Sequence, residues 1–99
     1  MITVSYKLTD TMYLKVSGHA PKGMEFLCSA ISVLTDTLAH LVGKNDESVD
    51  NIVLEDGYGE IYSKNLQNKP LFEFALAGIS QIANVYPRWV QFQEEHSLS

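Results

Sequence analysis

The 99-residue chain is poor in cysteine (one), proline (three), histidine (three) and basic residues (seven), and each scarcity excludes something. One cysteine cannot form an internal disulfide, so packing must hold the fold and a reducing cytoplasm is the expected compartment. Seven Lys and Arg against twelve Asp and Glu leave a net charge of −5. The basic residues are scattered and form no Lys/Arg face of the kind that phosphate binding needs, so no nucleic-acid partner is expected. The uninterrupted apolar runs fall far short of the ~20 residues that span a bilayer. Met1 leads directly into Ile2-Thr3-Val4 without a basic leader or small-residue cleavage site, so neither a membrane partner nor a signal peptide is expected. The lone cysteine and scattered histidines lack metal-ligand spacing. Gly57-Tyr58-Gly59 falls in a hairpin pattern and not at a strand–helix junction, so it is no phosphate cradle. Neither a metal nor another cofactor is expected.

What is present reads as one domain over residues 1–99, with Glu94 to Ser99 as a frayed tail. Ile2, Val4, Tyr6 and Leu8 alternate with polar residues, the period of a strand with one buried face. Thr9-Asp10-Thr11 is turn material, and Tyr13 to Ser17 resumes the alternation with Leu14 and Val16 inward, predicting a hairpin. Leu27, Ile31, Leu34, Leu38, Leu41 and Val42 recur at helical spacing, with Gly43 as the expected stop before a polar loop from Lys44 to Asp50. Ile52 to Glu55 and Tyr58 to Tyr62 flank Asp56-Gly57, a hairpin signal that asks positive φ of both turn residues. That register places Ile52 opposite Ile61, with Asn51 and Tyr62 on the other face.

Pro70 suits the first turn of a second helix carrying Leu71, Phe72, Ala75, Leu76, Ile79, Ile82 and Ala83, with Phe74 off the core stripe and available as a subunit contact. Gly78 inside that helix predicts close packing. Pro87 ends it, and Arg88 to Gln93 is a last short strand with Val90 and Phe92 inward. The order β-β-α-β-β-α-β predicts an α+β fold, an antiparallel-rich sheet packed against two helices.

The chemistry-bearing segment runs from Ser17 to Ser32. A strand ends at Gly18, His19 stands at its mouth, and a Gly/Pro loop leads to a helix starting near Glu25. Cys28 then lies at the first helical turn, where free N–H groups and the positive helix end favour a thiolate and draw the pKa below the usual ~8.5. A histidine from the strand end can take its proton. Glu25 and Ser32, three before and four after Cys28, share its side of the helix. Each residue also has a plain structural role: Cys28 as core filler, Glu25 as complement to the helix N-terminus, Ser32 bonding back to a carbonyl, and Gly18 and Gly23 as turn residues. Asp36 and His40, one turn apart, read as a surface pair. Tyr58, Tyr62 and Trp89 read as sheet-face packing or as walls of a groove for apolar peptide side chains.

Ser17-Gly18-His19-Ala20, followed by Gly23-Met24-Glu25-Phe26-Leu27-Cys28-Ser29-Ala30-Ile31-Ser32, resembles the two half-motifs of the ribosomal-processing cysteine protease family of bacteria. The likeness extends over almost the whole chain, to Tyr86-Pro87-Arg88-Trp89-Val90. It implies a cysteine endopeptidase with Cys28 as nucleophile and His19 as base, supported by Glu25 and Ser32. The implied enzyme is homodimeric and trims the N-terminal extension of a large-subunit ribosomal protein, after a hydrophobic segment ending in Phe. Phage relatives acting on capsid or scaffold proteins, and a non-catalytic dimeric peptide-binding paralogue, are the alternatives. Three departures stand out: nine positions from His19 to Cys28, a few fewer than is usual in the family; Glu25 in place of aspartate; and Ser29 in place of alanine.

Overall fold

The computed structural model describes residues 1–45 and 52–95. The first alternating segments become β1 (Ile2–Leu8) and β2 (Met12–Gly18), and the first apolar stripe becomes α1 (Glu25–Asn45). β3 (Ile52–Glu55) and β4 (Tyr58–Ser63) follow, then a 3-10 turn (Leu66–Asn68), α2 (Lys69–Val85) and β5 (Val90–Glu94). The strands form one sheet in the order β3-β4-β2-β1-β5. Three pairings are antiparallel, but β5 lies parallel to β1, with Ile2 opposite Val90. Alternation along the strands sends Ile2, Val4, Met12, Leu14, Ile61 and Val90 to one face, where they are buried with Leu27, Ile31, Leu38, Phe72 and Ile79 of the two helices. The fold is therefore α+β, two helices over one face of a sheet. Each such aliphatic or aromatic side chain contributes about 1.5–3 kcal/mol by leaving water.

The predicted register of the central hairpin is present: Ile52 faces Ile61 and Glu55 faces Tyr58. Asn51, assigned to the opposite face, lies outside the described residues. The turn itself differs from the expectation, because among the described residues only glycines take positive φ: Gly57 does, at 75°, and Asp56 does not.

Helix α1 does not stop at Gly43 but continues to Asn45, whose side-chain amide donates to Asn68 Oδ1 at 2.7 Å. Asn68, fully buried, donates in turn to Ser63 Oγ at 2.9 Å. That network ties the end of α1 to β4 and to the start of α2. The expected loop from Lys44 to Asp50 therefore begins as helix, and its remainder lies outside the described residues. Gly78 packs as expected, since a Cβ there would come within 2.8 Å of Leu34 Cδ1. Glu94 belongs to β5 and the Glu95 N–H donates to Tyr6 O at 2.7 Å, so the expected tail does not begin at Glu94; its residues from His96 lie outside the described residues. α1 is long and apolar enough to cross a membrane by length and composition alone, a property that counting uninterrupted apolar runs misses. Its buried residues, Leu27, Ile31, Thr35, Leu38, Ala39 and Val42, instead face the core.

Candidate active site

β2 ends where the sheet meets the start of α1. Gly18, at φ 96°, donates its N–H to Gly57 O of the β3–β4 turn at 3.0 Å. A Cβ on Gly18 would collide with the Met1 carbonyl, so glycine is required both by its φ and by the close approach. His19 follows, exposed, and its carbonyl accepts from the Met1 amine at 2.8 Å. The chain then crosses Pro21, with Met24 N–H returning to Pro21 O at 2.9 Å, and enters α1.

Cys28 is half-buried on α1 beside buried Leu27 and Ile31. Its sulfur is not sealed among those aliphatics: the Ala20 N–H donates to Sγ at 3.2 Å. Charge-assisted hydrogen bonds are roughly twice as strong as neutral ones, so such a donor favours the sulfur when it carries charge.

Cys28 and His19 line one cavity of about 330 Å³, with Gly18 and Ser32. Val16, Leu54 and Gly59 of the sheet and Ile31, Thr35 and Asp36 of α1 form further walls, and Glu55, Asp56 and Gly57 of the hairpin turn close one side. Among the described residues no hydrogen bond joins the His19 ring to Sγ; a Cβ built on Gly57 would land on the ring, coming within 2.8 Å of Cε1. Catalytic hydrogen bonds are often long before substrate binds.

Glu25 points elsewhere. Its Oε1 accepts from the Gly23 N–H at 3.0 Å, and this bond, then its own N–H, holds the carboxyl below the ordinary glutamate range. The carboxylate thus complements the helix start, as its plain structural role predicts, and does not orient His19 here. Gly23, at φ 93°, shapes that turn.

Several wall residues escaped the sequence reading. Asp36, read as a surface partner of His40, lies two turns beyond Cys28 and lines the cavity; extending the Cys28–Ser32 spacing by one more turn would have found it. Gly57 was read as a turn residue only. The sheet register, which pairs Ser17 with Tyr58, brings the ends of β2 and the hairpin together. Of the three aromatics, Tyr58 lines the cavity and donates its hydroxyl to Glu60 at 2.7 Å. Tyr62 pairs with Tyr13, and Trp89 packs against the core, with the Arg88 guanidinium 5.4 Å from its ring centre.

A family model described as cysteine protease Prp matches residues 1–91. The chain belongs to the Prp family of cysteine proteases. Two solved structures of Prp from S. aureus share its fold: one in complex with a substrate peptide (TM-score 0.80, 17% identity) and one with a covalently linked product peptide (TM-score 0.78, 18% identity). Each comparison covers 96% of this chain and 100% of the other. SMU.848 from Streptococcus mutans is also similar, with TM-score 0.72, 22% identity and 96% of both chains covered. Curated proteins give no match. The Prp fold thus accommodates low sequence identity, and in this chain Gly18, His19, Cys28, Ile31 and Ser32 of the half-motifs line a single cavity.

Proposed function

We propose that this Prp-family chain is an endopeptidase in which Cys28 is the nucleophile and His19 the general base. The observation that carries the reading is the shared cavity holding both side chains, with a backbone N–H on the sulfur. His19 takes the thiol proton, and the sulfur attacks the scissile carbonyl to give a tetrahedral intermediate. In this reading, unpaired backbone N–H groups near the start of α1 receive the oxyanion, a contribution of about 2.7–4 kcal/mol per donor in acyl transfer. The C–N bond then breaks, the imidazolium protonates the leaving amine, and water hydrolyses the thioester. Ser32 lies on the same cavity wall. Glu25 and Gly23 hold the loop between the two reacting residues.

The substrate we infer is the N-terminal extension of a large-subunit ribosomal protein, cut after a hydrophobic segment ending in Phe. The family membership and the peptide held by the S. aureus relative support it. Leu54 and Ile31 give the cavity an apolar component suited to such a segment. A cytoplasmic homodimer is part of the proposal; Phe74, 75% exposed, and Val85, 68% exposed, offer apolar surface for a second copy, and sedimentation of the purified chain tests it.

The decisive experiment incubates the protein with peptides of this kind and reads cut sites by mass. Cys28→Ala and His19→Ala should each abolish cleavage; cleavage by Cys28→Ala ends the proposal. The missing hydrogen bond between His19 and Cys28 favours a second reading, a peptide binder without turnover. Alkylation separates the two: a catalytic sulfur reacts quickly near pH 6 and slows in His19→Ala, whereas a binder's thiol is inert.

A further inference from the structure

An imidazole on an exposed strand end is free to occupy several rotamers, and only one serves a sulfur fixed on a neighbouring helix. In this structure the exposed His19 ring lies against Gly57. It fills the space beside the Gly57 Cα, where a Cβ would overlap Nε2 and lie 2.8 Å from Cε1 and 3.3 Å from Cδ2. The same residue's carbonyl accepts the Gly18 N–H at 3.0 Å, fixing the backbone one position before His19. Two independent contacts from one turn residue therefore act on the histidine, one on its ring and one on the strand that delivers it.

We propose that Gly57 is the positioning residue for His19: its bare Cα is the seat on which the imidazole rests, and its carbonyl anchors the strand end below. The requirement for glycine is then twofold. A φ of 75° asks for glycine, or less readily asparagine; any Cβ there would have to push the His19 ring off its place. A hairpin turn otherwise tolerates asparagine at a left-handed position, and this difference makes the proposal testable. The proposal rests on the protease reading for its catalytic consequence, but the seat itself does not.

The test uses the full chain. Gly57→Asn keeps the left-handed backbone accessible while placing a Cβ in the ring's space. Its kcat on a cleavable peptide should fall about 100-fold or more, the scale of a lost general base, with KM nearly unchanged. Its Cys28 alkylation rate near pH 6 should fall in parallel. In the wild-type protein, proton NMR should show through-space contact between His19 Hε1 and the Gly57 Hα pair. A folded Gly57→Asn with wild-type kcat overturns the proposal, as does a loss confined to KM. Should Gly57→Asn fail to fold, the wild-type contact decides: its presence supports the seat and its absence overturns it. The protease reading fails separately, through cleavage by Cys28→Ala, and that result leaves the NMR contact still able to settle the seat.

Discussion

Helix α2 is reached through side chains that are buried and bonded to one another, whereas α1 is reached through a loop whose polar groups face solvent. At α2, Asn68 has no exposed surface and bonds to Asn45 and Ser63. Asn65 caps the preceding 3-10 turn by accepting from the Gln67 N–H at 3.0 Å, and Pro70 opens the helix. At α1 the holding contacts are an exposed carboxylate on the Gly23 N–H and a sulfur on the Ala20 N–H. The first arrangement fixes a helix; the second leaves a half-buried thiol reachable. Local stability is lowest where ligands must enter, and these two helix starts divide the work accordingly.

The largest break of this contrast should come at α2. Asn68→Ala removes the buried amide that links Asn45 to Ser63, and denaturant unfolding should show a loss of about 1–3 kcal/mol with the alkylation rate of Cys28 unchanged. Ala20→Pro removes the N–H on the sulfur, and alkylation should slow about tenfold, the equivalent of one charge-assisted hydrogen bond of roughly 1.4 kcal/mol, while unfolding barely moves. A smaller effect attaches to Glu25. Its folded carboxyl titrates below the unfolded one, so its contribution is present above the ordinary glutamate pKa and disappears as pH falls through the folded value. Glu25→Gln should therefore melt slightly lower than wild type at pH 7, the gap closing below about pH 4. Smallest is Gly78→Ala, where the helices touch. A gain of about 1 kcal/mol in helix propensity meets a displaced Leu34 methyl, half-buried and able to swing, so the net change should stay within about 1 kcal/mol of zero.

The same contrast explains what was legible in the sequence. Strand alternation, the Asp56-Gly57 register, the Pro70 start and the Phe72–Ile79 stripe are local patterns, and each appears in the structure. The half-motifs around His19 and Cys28 were legible because residues close in sequence build that part of the cavity. The parallel partnership of β1 with β5 was not legible, since nothing in either strand's alternation names its neighbour. Asn45 carried α1 past Gly43 through a bond to a residue 23 positions away, and Gly57 reached the cavity through the packing of separate elements. Long-range pairing, and not weak local propensity, is the common cause.

That same pairing of Ile2 with Val90 bears on how the protein is made. β1 gains its second neighbour only after Val90–Glu94 has left the ribosome, so the strand paired with the one that delivers His19 waits, edge open, until then. Contacts of such long sequence separation form slowly, and a newborn chain therefore completes its platform last and holds its thiol on unfinished ground until then.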